Sequence, residues 1–527
     1  HRDRAAHLAL PARPPHRRIR RPAAPPRKLT RPRTPAPADM KSVRLFRSDA
    51  AIAVMLAASA FCVYLLTMCR SIGPEDSGEL ATVLTTLGIA HPTGYPLFTM
   101  LGHLAAHLYA PNLAYHIKLN LFAALLCAAS VGMFYRLFLS LISWLHPSAK
   151  NASRSHQRIG SACGALVLGF SGPFWSTSTF LEVYSLHLLL VAIIGWCFVH
   201  AARETARNGA RTETGWQILA YVIGLSFANH FMTLLLVPGL LYAYFRLHGM
   251  RREAWIRIVH LTPAFLLALS SYVYLPLRAA QSPIMNWGNP STWTGFWQHV
   301  TAAQFRYKMF GSLDAALSKT GAFFSQLPQM FGYLPLVLAA SGSILLWRVS
   351  RPAGVTASLL FATGLVYAVN YDFEDINFWL NSTIIVAFWA SYSLTRILAK
   401  ANTSRRIALG SLFCALTVAM PIGCNYNSVN LRDFVAPERH ARAILLQAEP
   451  NAIILHDDFN VFLSAARYLQ IVEGLRPDVD VLNFYEFGEP YFPAYLKLHR
   501  PDVVFQDSLW QDIGLALYDD PFGKSEY

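Results

Sequence analysis

Apolar residues gather in about eleven runs of near-spanning length: 50–69, 119–143, 159–176, 182–201, 215–229, 231–246, 257–277, 329–348, 353–370, 379–398 and 406–423. A bilayer core roughly 30 Å thick needs about 20 helical residues, so these runs predict membrane helices. Two of them, 215–229 and 231–246, are short and read together as a bent hairpin that need not cross fully. Two polar intervals are long. Residues 70–118 begin with acids and continue as amphipathic stretches, and residues 278–328 are rich in Trp, Asn, Gln and Gly, a composition suited to a membrane interface. Past 423 the pattern changes. NAIILHDD reads as a strand, FNVFLSAARYLQIVEGL as a helix and RPDVDVLNF as a second strand. The expected organisation is therefore a basic tail (1–48), a multipass helical body (49–423) and a small α/β domain (424–527). The tail holds too little apolar surface to fold, and Met40 reads as the natural start. The run from 50 reads as a retained first helix, without a cleavage signal.

Composition agrees. The chain of 527 residues is 54% hydrophobic and 14% charged, with a mean hydropathy of +0.32; soluble domains are about a quarter charged. A net charge of +15 suggests nucleic acid, but its distribution argues against that partner. The excess sits in the first 48 residues and in loops between alternate runs: Lys150, Arg154 and Arg158; Arg203, Arg207 and Arg211; Arg246, Arg251, Arg252 and Arg257; Arg348 and Arg351; Arg396, Lys400, Arg405 and Arg406. That is the positive-inside pattern. It places the N-terminus in the cytoplasm and the C-terminus outside, in a bacterial inner membrane or the endoplasmic reticulum. Five of the seven cysteines lie in apolar runs, which leaves Cys69 and Cys424 as the one pair an outer disulfide could join. No metal-ligand spacing appears, and neither a metal nor another cofactor is expected.

The opposite loops carry the candidate chemistry. In GPEDSGELATVLTTLGIAHPTGYPLF (73–98), Asp76 and Glu79 stand three apart and share one helix face. They fit a helix-capping pair and equally a general base near a dry boundary. His91 and Tyr95 sit in the rigid turn HPTGYP, which either connects two helices or aims both rings into a pocket. Glu182 stands at the mouth of a run, where a carboxylate is costly unless it faces a cavity. Asn229 and His230 occupy a similar level. Arg278 suits bidentate phosphate recognition or a lipid headgroup, and Asn286 and Trp287 follow in PIMNWGNP. Asp372, Glu374 and Asp375 read as a solvated acidic loop.

Several segments carry a family resemblance: EDSGELATVLTTLGIAHPTGYPLF, KLNLFAALLCA, FWSTSTFLEVYSL, GLSFANH, YLPLRAAQSPIMNWGNPSTWTGFWQHVT and YLQIVEGLRPDVDVLNF. Together they resemble a family of multipass membrane proteins that includes a vertebrate endoplasmic-reticulum O-mannosyltransferase of plexin and MET-type receptors. The resemblance covers roughly residues 45–500. It implies a GT-C glycosyltransferase fold and a polyprenyl- or dolichyl-phosphate sugar donor. It also implies a protein hydroxyl or glycan as acceptor, Asp76 or Glu79 as catalytic acid, and Glu182, His230, Arg278 and Trp287 as pocket residues. Thr93 departs from the usual HPPGYP, and the outer domain is shorter than in the vertebrate member. A transporter or lipid flippase is the alternative class, though the polar residues cluster on one side and no repeat is visible. A membrane scaffold is a third.

Overall fold

The structure is a computed structural model that describes residues 40–146, 153–208, 213–371, 375–400 and 403–483. Asp372 and Glu374 of the predicted acidic loop lie outside the described residues. Helices fill every predicted apolar run, because a segment in lipid must satisfy its backbone hydrogen bonds internally. In chain order they are α1 (Met40–Thr67), α2 (Ser77–Thr86), α3 (Pro96–Ala106), α4 (Tyr115–Leu145), α5 (Arg154–Gly169), α6 (Gly172–Thr177), α7 (Tyr184–Asn208), α8 (Thr214–Phe227), α9 (Val237–His248), α10 (Arg252–Leu269), α11 (Tyr274–Ala279), α12 (Trp293–Val300), α13 (Leu313–Phe331), α14 (Tyr333–Val349), α15 (Arg351–Val369), α16 (Leu380–Leu398) and α17 (Ser404–Val429).

Among the described residues, seven helical segments are long and apolar enough to cross a membrane, or eight if the bent pair α13–α14 counts as one. The remaining predicted spans, α5, α8 and α16, are shorter or more polar. Nearly all of α16 is buried, so its Asn, Ser and Thr side chains face protein and not lipid. The run 159–176 is split, with α5 ending at Gly169 and α6 starting at Gly172. The run 329–348 begins late, since Gly332 (φ +75°) turns the chain by 116° between α13 and α14.

Small residues let the inner helices approach closely. A Cβ at Gly342 of α14 would stand 1.9 Å from the Trp389 carbonyl oxygen of α16, and one at Gly164 of α5 would stand 2.3 Å from Ser391 Cβ. Polar pairs then mark two ends of the bundle. At one end, Asp49 accepts from Arg158 Nε at 2.7 Å and pairs with Arg154, while Arg257 bonds Glu213 at 3.1 Å. At the other, Tyr184 donates to Asp375 Oδ2 at 3.0 Å, Thr177 to Asn377 Oδ1 at 2.8 Å and Asn229 Nδ2 to the Val183 carbonyl at 3.3 Å. The second end gathers the loops that carry the candidate residues.

Helix α17 runs to Val429, past the expected limit at 423. Beyond it come α18 (Ala436–Gln447), β1 (Ile453–His456), α19 (Ser464–Ile471) and β2 (Asp480–Asn483). The strands pair in parallel from Ile453↔Asp480 to His456↔Asn483, as the strand–helix–strand reading expects; residues 484–527 lie outside the described residues. Helix α19 lies directly on α2, where a Cβ at Gly78 would come within 2.4 Å of the Ser464 carbonyl oxygen. Cys69 and Cys424 are both free thiols. Cys69 instead donates to the Ser71 and Phe434 carbonyls.

Gly342→Ala should push α14 off α16 and cost about 1–3 kcal/mol, the range for overpacking a tight contact. Thermal unfolding in detergent would show a lowered midpoint. Gly423→Ala, with nothing within 4 Å of the added carbon, should leave it unchanged.

Candidate functional site

Helix α2 begins where α1 leaves its span, and its first turn does not use its acids as caps. The Asp76 side chain makes no cap hydrogen bond. The Glu79 N–H bonds Ser464 Oγ of α19 at 2.9 Å. The Glu79 side chain instead reaches the HPTGYP turn. Its Oε1 accepts from the His91 backbone N–H at 2.8 Å, and its Oε2 lies 2.6 Å from His91 Nδ1. Glu79 is fully buried, and Asp76 Oδ2 stands 3.5 Å from His91 Nε2 with its side chain about a third exposed. Two carboxylates thus flank one imidazole.

The electrostatics follow from that geometry. Burial opposes a charge on His91, but Glu79 and then Asp76 outweigh it and lift the ring to about 9, so it is an imidazolium at neutral pH. Burial lifts Asp76 to about 6 against the pull of His91, with Glu79 and Asp375 adding to the rise. Glu75, forced to φ +57°, is lifted to about 7 by burial and by the charges of Asp375 and Asp76. With both ring N–H groups of His91 donating, Nδ1 serves Glu79 and Nε2 serves Tyr95 Oη at 2.9 Å, leaving the phenol to donate to the Pro92 carbonyl at 3.2 Å.

Aromatic rings line the cleft. Trp287 meets His91 edge-on at 6.0 Å, and Phe305 does so at 6.4 Å. Tyr95 stacks on His230 at 5.7 Å with an interplanar angle of 3°. His230 in turn meets Tyr184 at 5.0 Å. Phe459 and the Arg467 guanidinium reach Trp287 from the C-terminal segment, at 5.7 and 5.8 Å. Glu182, Asn229 and His230 lie beside these rings, all buried.

Arg278 does not join them. Its Nε donates to the Leu87 carbonyl at 2.6 Å, Nη2 to the Thr86 carbonyl at 3.3 Å and Nη1 to Gln281 Oε1 at 2.5 Å. It caps the C-terminus of α2, where a cation is favoured. Along α2 (Ser77–Thr86) that end lies about 15 Å from Asp76 and about 11 Å from Glu79. The Asn286 backbone bridges Ile89 and its Nδ2 bonds Asn289 at 3.3 Å, so it shapes the loop under Trp287.

Asp76, Glu79 and His91 each offer one ligand atom, all within 4.8 Å of one another, a set that a divalent cation could use. His91 Nε2 and Asp76 would hold the ion, while Glu79 on Nδ1 is placed as the carboxylate that orients a ligating imidazole. As the groups stand, a proton on His91 offsets one of the two carboxylate charges.

Residues 76–253 match the family described as the N-terminal domain of protein O-mannosyl-transferase TMEM260. A Mus musculus protein O-mannosyl-transferase TMEM260 is 30% identical over 485 residues, 87% of this chain and 66% of that protein. The chain is similar to the TMEM260 proteins over most of its length. A second, from Dictyostelium discoideum, is 24% identical over 518 residues, 88% of this chain and 61% of that protein. The chain thus spans somewhat less than two thirds of these relatives. Solved structures share its architecture at low identity. ArnT from Cupriavidus metallidurans bound to undecaprenyl phosphate has a TM-score of 0.52 at 12% identity, over 92% of this chain and 95% of that one. Archaeal oligosaccharyltransferase AglB from Archaeoglobus fulgidus, in complex with an inhibitory peptide and a dolichol-phosphate, has 0.55 at 11%, over 84% and 65%. The fold of this chain is accordingly GT-C-like, as the resemblance implied.

Sequence reasoning missed Tyr184 and His187, although they stand three apart at the start of α7, just after Glu182. It also missed Asn460, whose carbonyl accepts from the Glu75 N–H at 3.0 Å, and Ser464 and Arg467. Nothing local ties Asn460 and Ser464 to the Glu75–Glu79 turn, 385 residues earlier for Ser464, or Arg467 to Trp287.

The ion pair makes stability depend on pH with a definite sign. The ring of His91 is raised above its ordinary 6.5, so the stabilisation is complete below that value and lost as pH rises through about 9. The unfolding midpoint of the wild type should fall across that range relative to His91→Gln, which lacks the group.

Proposed function

We propose that this chain is a GT-C-type membrane glycosyltransferase. It moves a sugar, mannose by kinship, from a polyprenyl- or dolichyl-phosphate donor to a hydroxyl acceptor, a Ser or Thr of a protein in the closest chemical analogy. The observation that carries the reading is the pairing of Asp76 and Glu79 across His91 in an aromatic cleft at the mouth of the helical bundle. Kinship supports the chemistry, since the relatives are described as protein O-mannosyl-transferases. The shared fold supports the donor class, as ArnT and AglB structures contain undecaprenyl phosphate and a dolichol-phosphate. The charge pattern of the loops supports a site on the non-cytoplasmic side.

Of the two acids, Asp76 suits the base. It alone reaches solvent, and a carboxyl near 6 is ionised at neutral pH yet basic enough to take a proton. Glu79 is fully buried with both oxygens engaged by His91, so it positions and charges the imidazole. The step is a single displacement. Asp76 takes the acceptor hydroxyl proton as the oxygen bonds to the anomeric carbon. The bond from that carbon to the phosphate oxygen breaks, and the lipid phosphate leaves with the electron pair. The His91 imidazolium lies where developing negative charge is stabilised, and Trp287 offers a ring face to the sugar.

Incubating the purified chain with radiolabelled polyprenyl-phosphate mannose and a membrane extract should label a protein or glycan acceptor, identified by mass. Asp76→Asn should cut transfer by about 10²–10⁴-fold, the usual contribution of a positioned base, while expression and membrane insertion persist. The acid limb of the wild-type rate should rise through about pH 6. Undiminished transfer by Asp76→Asn and by Glu79→Gln would remove the proposed base.

A further inference from the structure

Behind the Tyr95–His230 stack the bundle holds a set of polar atoms that the acid–imidazole cluster does not use. Glu182 is 2% exposed, and His187 and Asn229 are fully buried. Each keeps one buried side-chain atom without a hydrogen-bond partner among the described residues: Glu182 Oε1, His187 Nδ1 and Asn229 Oδ1. Buried polar atoms are nearly always paired, so three such atoms, two near the start of α7 and the third on Asn229, which bonds the Val183 carbonyl there, call for a partner from outside the protein.

Their chemistry can be fixed from their neighbours. Asn229 uses its amide nitrogen on the Val183 carbonyl at 3.3 Å, which leaves Oδ1 as a pure acceptor. Asn381 uses its own amide nitrogen on the Met232 carbonyl at 3.4 Å, so its Oδ1 accepts from His187 Nε2 at 3.3 Å. His187 Nδ1 is then the unprotonated nitrogen, a second acceptor. Glu182 Oε1 is a third unpaired atom, on a side chain whose burial favours the neutral acid, so it can donate or accept. Beside them His230 Nδ1 accepts from the Met232 N–H at 3.1 Å, which puts its proton on Nε2, a donor with no acceptor among the described residues. The His187 and His230 rings lie 5.9 Å apart, and Tyr184 closes on His230 at 5.0 Å.

Walled by aromatic rings and with no Lys or Arg bonded to them among the described residues, these atoms offer a phosphate no counter-charge. They match vicinal hydroxyl groups, which donate strongly and accept in turn. We propose that Glu182, His187 and Asn229, with His230, form the subsite that receives the hydroxyl-bearing ring of the donor sugar, and that the lipid phosphate is held elsewhere in the cleft. This rests on the transferase reading for the identity of the ligand. The subsite deepens that reading by assigning the sugar end of the donor to these residues. It also gives His187, which sequence reasoning passed over, a role in sugar specificity.

The test separates the two claims. Binding of a short-chain polyprenyl-phosphate mannose and of the same lipid phosphate without sugar is measured on the purified full chain. The subsite predicts that the sugar-bearing lipid binds at least tenfold more tightly. It also predicts that Asn229→Asp, Glu182→Gln and His187→Phe each erase much of that preference while leaving the bare lipid phosphate unchanged. Mono-deoxy mannose donors add a pairing test. A deoxy donor that loses about tenfold on the wild type should lose little more on the variant lacking its partner. Equal binding of both lipids by the wild type overturns the subsite, as do variants that weaken both lipids alike. A clear preference for the sugar-bearing lipid with no transfer to any acceptor would sustain the subsite and overturn the transferase reading alone.

Discussion

The site depends on one buried carboxylate. Glu79 is fully buried, and its two oxygens are satisfied by the backbone N–H and the Nδ1 of a single residue, His91. A charge placed there without that partner would be costly. The contact therefore fixes the HPTGYP turn against the first turn of α2, and everything else in the cleft is referenced to it. It orients the imidazole toward Asp76. It sets Tyr95 where its ring can stack on His230, and it leaves the edge of His91 facing Trp287.

Around that contact the structure divides its labour by charge. The cleft proper holds two acids flanking one imidazolium, at the boundary between spans and loops. Behind it lie the unpaired polar atoms of Glu182, His187 and Asn229, with no Lys or Arg bonded to them among the described residues. The strong cation that sequence reasoning expected at the phosphate, Arg278, serves as a helix cap at the far end of α2. The guanidinium that does approach the cleft is Arg467, carried over Trp287 by α19. The C-terminal segment is thus one wall of the site. Helix α19 supplies Ser464 to the Glu79 N–H, and the turn before it supplies the Asn460 carbonyl to Glu75.

Periodicity and charge were enough to mark the helices, because a bilayer enforces apolar runs of fixed length and leaves Lys and Arg in alternate loops. They misplaced boundaries where local backbone chemistry overruled hydropathy: at Gly332, whose positive φ turns the chain, and between Gly169 and Gly172, where the run breaks. The site was legible in part. Asp76, Glu79, His91 and Tyr95 lie within 20 residues of one another, and their spacing and rigid turn could be read. The alternative of simple helix capping for Asp76 and Glu79 was also readable, and only the side-chain contacts show that neither acid caps.

What the sequence by itself determined was a helical membrane protein with its polar chemistry gathered at one end. That outcome follows from solvent: apolar runs must meet lipid, and buried charges must meet each other. The tertiary structure alone decided which charges meet. Whether Arg278 turns toward a carboxylate or a helix terminus, and whether Ser464 reaches α2 across more than 380 intervening residues, depends on how helices pack, through glycines whose missing side chains matter only once a neighbour arrives. Pairing across such distances leaves no local pattern, because its energy belongs to the contact and not to either segment.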